Sequence, residues 1–245
     1  MLIEKSEMDA VRTDLLKRLD TVGTGTCVCL IHDDKRSLVA SPDAGNAYSP
    51  DFISQSVIDA IRSSSIIYIT GFFVACCPAA VARILAHCSA DGPRVMFNFS
   101  AGFVGAGFGG FIKECILKQC EWVIGNVEEV AAFLGADRKD KDQLTELQAL
   151  APESSIIITD GPAPVRYYDH RVRQRFDVPI PAVPKEEIVD TNGAGDGFVG
   201  GLLASFLAPN YTAESAVRAG SNVAAFIIRH SGIQLPTRSA LGQPK

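Results

Sequence analysis

Four short apolar runs constrain this chain more than anything else in it. Residues 63–70 (SSSIIYIT), 94–99 (RVMFNF), 122–124 (WVI) and 156–159 (IIIT) are continuous rather than alternating, and helical segments of ten or more residues separate them. A strand buried on both faces reads this way, and strands of that kind belong to parallel sheets covered by helices. From 164 to 179 the pattern changes to alternation, with Val165 and Tyr167, then Val172, Gln174 and Phe176. That predicts an antiparallel pair at one edge of the sheet. The expectation is an α/β fold, a mostly parallel sheet sandwiched by helices. Without an internal repeat, low-complexity segment or linker, residues 1–245 read as a single domain.

The flanking stretches fill in the frame. Met8, Val11, Leu15, Leu16 and Leu19 recur at helical spacing, predicting an amphipathic helix over 4–20. Residues 24–31 and 36–40 are β-rich and flank His32-Asp33-Asp34-Lys35, predicting a hairpin around a four-residue polar turn. Pro78 sits at a tolerated helix start. Helices are also expected over 127–134, 196–208 and 212–230. A net charge of −5 excludes nucleic acid as the main partner. The alternating arginines 171, 173 and 175 read as a solvated strand face. Seven scattered cysteines lack C-x-x-C pairing, so reduced, buried thiols are expected. The first twenty residues lack the apolar core of a signal peptide, and no run approaches the roughly 20 apolar residues of a membrane span. Together these describe a cytoplasmic protein with no membrane partner.

Chemistry concentrates in residues 190–201, DTNGAGDGFVGG. Gly193 and Gly195 allow a tight turn and bare backbone N–H groups, placed just before or inside the first turn of a helix. Unpaired amides at the positive end of a helix dipole bind anions, most often phosphate. Asp196 lies in the same turn. It can be a plain N-cap, or a general base beside an oxyanion.

Other polar groups are expected at strand carboxyl ends, where α/β sheets bind ligands. Asn126 and Glu129 read as a capping box, as groups that order water around Mg²⁺, or as both. Gly71-Phe72-Phe73 puts two aromatics after a strand, either as core or to stack on a flat base. Thr159-Asp160-Gly161 is a turn or a nucleotide contact. Arg36 follows the hairpin turn, exposed or reaching to a phosphate. Residues 105–110 (GAGFGG) match G-x-G-x-x-G, but the turn falls too far beyond its strand and no acid closes the next one, so a dinucleotide site is not expected.

These residues, with Gly25-Thr26-Cys27, Arg36-Ser37-Leu38, Asn98-Phe99-Ser100-Ala101, Ala219-Gly220 and Ile227-Ile228-Arg229, resemble the ribokinase-like (PfkB) family. Asn192 leans toward its adenosine kinase branch. The resemblance runs from about residue 22 to the end. It implies a ribokinase-like fold with remnants of a small β lid, and phosphoryl transfer from ATP to adenosine with Mg²⁺ in purine salvage. Asp196 would be the base, with amides from Gly193, Ala194 and Gly195 holding charge and Arg36 clamping phosphate. Phe73, Leu38 and Asn192 would meet the acceptor; Thr159, Gly161 and Asn222 would meet ATP; Asn126 and Glu129 would order Mg²⁺ through water. A monomer is implied, cytoplasmic or nuclear. Family members carry a further N-terminal segment with an Asp for the ribose diol and a Gly-Gly acceptor motif, neither of which is found here. A catalytically silent nucleotide-binding fragment and another sugar kinase of the family are the alternatives. Gly197 stands where the family has Ala, at a cost of about 1 kcal/mol in helix propensity.

Overall fold

The computed structural model describes residues 2–9, 11–32, 35–88, 91–135, 142–232 and 234, without the side chains of 2, 5, 31, 32, 35 and 36. The chain groups into two compact units, Met1–Cys120 and Glu121–Lys245.

The first unit opens on α1 (Leu2–Met8), which stops well short of the expected helix over 4–20. The apolar stripe finds nothing to cover it: Met8, Val11, Leu15 and Leu16 are all exposed. An unpacked amphipathic stripe does not offset the cost of ordering a helix. Arg12 instead donates to both oxygens of Asp14, at 3.1 and 2.6 Å, a pair two residues apart that could not face each other on a helix.

The hairpin forms from β1 (Thr24–His32) and β2 (Lys35–Asp43), in antiparallel register from Thr24↔Asp43 to His32↔Lys35. The ladder thus runs two residues further than expected, and the link shrinks to Asp33-Asp34, which lie outside the described residues. Val28, Leu30, Leu38 and Val39 are exposed on this ribbon.

Next come α2 (Gln55–Ser63), β3 (Ile66–Thr70), α3 (Gly71–Cys76), α4 (Pro78–Leu85) and β4 (Arg94–Asn98). β3 and β4 are parallel, in register from Ile66↔Arg94 to Thr70↔Asn98. Their carboxyl ends touch closely. A Cβ on Gly71 would lie 2.0 Å from the Phe99 carbonyl oxygen, so only glycine fits. Ser100, with φ +64°, accepts the Gly71 N–H on its hydroxyl at 3.0 Å.

The glycine-rich segment is a helix, α5 (Gly102–Phe111), continued by a π-helical turn over Ile112–Ile116. This disposes of the dinucleotide pattern on firmer ground than its spacing. The glycines 105, 107, 109 and 110 sit inside a helix, where amides serve intrahelical bonds and cannot cradle a pyrophosphate.

In the second unit β5 (Cys120–Asn126) is followed by α6 (Val127–Leu134), α7 (Gln143–Leu150) and β6 (Ser155–Thr159). β5 and β6 are parallel, in register from Trp122↔Ser155 to Asn126↔Thr159. The expected edge pair is β7 (Val165–Asp169) and β8 (Gln174–Val178), each antiparallel to its predecessor. The chain ends its described part with α8 (Ala194–Phe206) and α9 (Ala213–Ile227). Trp122 stacks on Phe206, rings 4.5 Å apart and 8° from parallel, tying α8 to the sheet.

Two of the three alternating arginines are engaged rather than simply solvated. Arg171 binds the buried Asp169 at 2.6 Å and lies 3.8 Å over the Tyr211 ring. Arg175 reaches Asp142 and Gln148, at 2.9 and 2.8 Å.

Helices α8 and α9 meet backbone to backbone. A Cβ on Gly201 would fall 2.6 Å from both the Ala219 oxygen and Gly220 Cα, and one on Gly220 would fall 2.6 Å from the Phe198 oxygen. Gly197 has its own reason: a Cβ there would lie 2.4 Å from Ile227 Cδ1, so the missing methyl lets Ile227 lie on α8. No helix among the described residues is long and apolar enough to cross a membrane.

Candidate functional site: an anion turn at the head of a helix

The limb entering the turn is held by the far end of α9. The N–H groups of Val189 and Asp190 both donate to the Ile228 carbonyl, at 2.8 and 3.2 Å. Asp190 then organises the turn with its side chain. Its Oδ1 accepts the Asn192 N–H at 2.9 Å, an Asx-type turn, and its Oδ2 accepts the Gly232 N–H at 3.4 Å. Asn192 itself is half-buried. Gly193 follows with φ +76°, a left-handed conformation that glycine adopts without strain, and it occupies the N-cap of α8.

That geometry leaves the helix head open. No side chain among the described residues caps it, and the Ala194 N–H reaches the Thr191 carbonyl only at 3.4 Å. The amides of Gly195 and Asp196, inside the first turn, have no intrahelical acceptor. Open space surrounds the place where a Gly195 Cβ would be.

Asp196 is the third residue of α8, exposed, and it caps nothing. The plain N-cap reading therefore falls, because Gly193 holds that position. A carboxylate without a hydrogen-bond partner among the described residues stands beside unpaired amides.

Asn126 and Glu129 lock together at the end of β5. Asn126 Oδ1 accepts the Glu129 N–H at 2.8 Å, Glu129 Oε2 accepts the Asn126 N–H at 3.0 Å, and Asn126 Nδ2 donates to Glu129 Oε1 at 2.8 Å. The capping box is thus complete. Burial pushes the Glu129 carboxyl above its usual range, against the lowering effect of the Asn126 N–H. Each Glu129 oxygen accepts one bond and keeps a second lone pair. Two oxygen-bearing side chains with spare acceptor capacity suit a cation that keeps its own water shell, which is the habit of Mg²⁺. They do not make a closed cage, and no cluster of three or more His, Cys, Asp or Glu forms one among the described residues.

Thr159 stands directly opposite Asn126 in the β5–β6 register, so these two expected contacts share one end of the sheet. Gly161 has φ +50° in the turn closed by the Ala163 N–H and the Asp160 carbonyl, at 2.9 Å. Asn222 is exposed on α9, next to the buried Ser221.

In the first unit, the two phenylalanines after β3 part company. Phe73, expected to stack on the acceptor, is half-buried against Ile53, Ile58, Cys77 and Ala80 and meets Tyr48 edge-on at 5.2 Å. Phe72 is exposed and pairs with the exposed Phe103 of α5 at 6.2 Å. Sequence reading missed that pair. The available signal was two Gly-Phe steps, each just past a strand end. Leu38 is exposed on the ribbon. The backbone of Arg36 pairs with Ile31; its side chain lies outside the described residues.

Comparison with known proteins places this geometry. The pfkB family carbohydrate kinase pattern matches residues 1–240. The chain belongs to the pfkB family. Among its curated relatives, adenosine kinase 1 of Arabidopsis thaliana is 31% identical over 225 residues, covering 88% of this chain and 64% of that protein. Adenosine kinase of Saccharomyces cerevisiae is 29% identical over 244 residues, covering 96% of this chain and 70% of that one. The chain thus spans less than two thirds of the Arabidopsis relative's length. The crystal structure of Anopheles gambiae adenosine kinase, in complex with a di(adenosine) tetraphosphate, superposes with a TM-score of 0.80 at 28% identity. It covers 94% of this chain and 68% of that one. The fold is therefore ribokinase-like α/β, and the pfkB match takes in the turn at residues 190–196.

Proposed function

We propose that the chain is an ATP-dependent nucleoside kinase that phosphorylates adenosine on its 5′-hydroxyl. The observation that carries this reading is Asp196. It stands without a partner among the described residues in the first turn of α8, beside amides opened by left-handed Gly193. The adenosine kinases among its pfkB relatives support the choice of acceptor.

In this mechanism Asp196 takes the hydroxyl proton as the oxygen attacks the γ-phosphorus. The new O–P bond forms as the bond from phosphorus to the β–γ bridging oxygen breaks, and ADP leaves. Amides from Gly193 to Asp196 hold the equatorial charge, because positioning and electrostatics carry phosphoryl transfer. Mg²⁺, ordered through water by Asn126 and Glu129, would neutralise phosphate charge when bound. Arg36 adds a cation to the phosphates, and Thr159, Gly161 and Asn222 receive the nucleotide. For the acceptor base, the exposed pair Phe72 and Phe103 offers faces that Phe73 does not. Leu38 and Asn192 complete the acceptor side.

The test is transfer from labelled ATP to adenosine, with ribose and fructose in parallel. Asp196→Asn should cut turnover by about 10²–10⁴-fold, the usual worth of a general base. Undiminished turnover in that variant would remove Asp196 from the role. A second reading is a nucleotide-binding chain without transferase activity. ATP binding with no product from any acceptor would select it. Product from a sugar alone would make the chain a sugar kinase of the pfkB family.

A further inference from the structure

The limb that delivers Asp190 to the turn is held by polar ties rather than by burial. Ile188 and Val189 are 40% and 57% exposed, so apolar packing does little to fix residues 188–190. Apart from two local bonds, the Ile188 N–H to the Lys185 carbonyl at 3.2 Å and the Asn192 N–H to Asp190, their described anchors lie at one place, the last turn of α9 and the residues just after it. Val189 and Asp190 donate to the Ile228 carbonyl, and Asp190 accepts from Gly232. Upstream, Glu187 accepts from Arg229 Nε at 2.7 Å. The same guanidinium donates through Nη1 to the Ala225 carbonyl at 2.7 Å, inside the final turn of α9. Arg229 therefore has one fork in the helix and one on the limb. Because α8, the other limb of the turn, lies against α9 at Gly201 and Gly220, α9 is the common reference for both sides of Gly193.

We propose that Arg229 is a positioning residue for the anion turn. By bridging Glu187 to the Ala225 carbonyl it sets the limb from which Asp190 closes its Asx turn, and so sets where Gly193 and the open amides stand. It acts through the backbone and touches no ligand. The planar, forked guanidinium matters, since a lysine ammonium reaching Glu187 leaves the Ala225 carbonyl unserved. That the turn receives phosphate rests on the kinase reading above. The positioning itself does not.

Hydrogen–deuterium exchange on the full chain without ligand tests it, comparing wild type with Arg229→Ala, Arg229→Lys, Glu187→Gln and the Arg229→Ala/Glu187→Gln double variant. Arg229→Ala should speed exchange at the 189, 190 and 192 amides about three- to tenfold, the range for a partly exposed charge-assisted bond. Amides in β5, β6 and the middle of α9 should stay within twofold. Arg229→Lys should recover part of the protection, and the double variant should exchange no faster than Arg229→Ala alone. Unchanged exchange at those amides would overturn the proposal. So would an even rise throughout the second unit, the mark of simple destabilisation. If wild type transfers phosphate, Arg229→Ala should lower kcat at least threefold with KM for ATP within twofold; a change in KM alone would also overturn it. Absence of transfer in every variant, with the exchange pattern intact, would strike only the kinase reading.

Discussion

Adjacent glycines in α8 allow the α8–α9 contact to be measured against its own control. Gly200 is exposed and has open space where a Cβ would go, whereas a Cβ on Gly201 meets Ala219 O and Gly220 Cα at 2.6 Å. Ordinary contact begins near 3.4 Å, so the second alanine must push α8 off α9 by roughly 1 Å or distort both backbones. Both substitutions gain the same propensity, about 1 kcal/mol for alanine over glycine inside a helix. The difference between them therefore isolates the clash, which at typical overpacking costs is about 1–3 kcal/mol. Gly200→Ala should stabilise the chain, and Gly201→Ala should unfold at a clearly lower urea concentration. Trp122 is the chain's only tryptophan and stacks on Phe206 of α8, so its fluorescence follows the unit in question. Equal midpoints, or a higher one for Gly201→Ala, would refute the backbone contact and with it the account of how α8 is seated.

Glu129 predicts a pH dependence. Its folded pKa is raised by burial, so its favourable share of stability is fully present below the unfolded value of about 4.3 and declines as pH rises through the folded one. The stability of wild type minus that of Glu129→Gln should therefore fall as pH rises above about 4 and then level off. A difference that grows with pH would mean that the capping N–H groups outweigh burial. In the first unit, Phe72→Ala and Phe103→Ala should weaken adenosine binding by titration calorimetry about 5- to 100-fold, the worth of stacking on a base, with little change in stability. Phe73→Ala should instead lower stability by up to about 3 kcal/mol. The reverse pattern would return Phe73 to the acceptor role.

The parts of the fold that sequence makes plain are those where local and long-range demands agree. Helix α6 coincides with the expected 127–134 because a capping box opens it and Gly135, with φ +111°, closes it. The hairpin declares itself through two β-rich runs around a polar turn, the edge strands through alternation, and left-handed Gly193 through its place between a strand-like run and a helix. Where reading failed, packing decided. Helical spacing over 4–20 could not reveal that nothing covers the stripe. Five glycines within α5 spoke against a helix that tertiary contacts nevertheless impose. Phe72 and Phe73 are neighbours of one type at a strand-to-helix turn, and only the rotation of α3 separates the exposed ring from the half-buried one. Asp196 was ambiguous until the N-cap proved to be Gly193.

Glycine-rich α5 has a consequence for the order in which parts of this chain come apart. Five glycines at about 1 kcal/mol each leave the helix about 5 kcal/mol poorer than its alanine counterpart. Its buried residues Val104 and Gly105, with Ile112 and Ile116 in the π-helical turn, must hold it in place. On an energy scale of local openings, such a segment should lie near the bottom, exchanging its amides and admitting proteases while neighbouring strands stay closed. Phe103 rides on its first turn, so the exposed aromatic pair is only as durable as the weakest helix beside it.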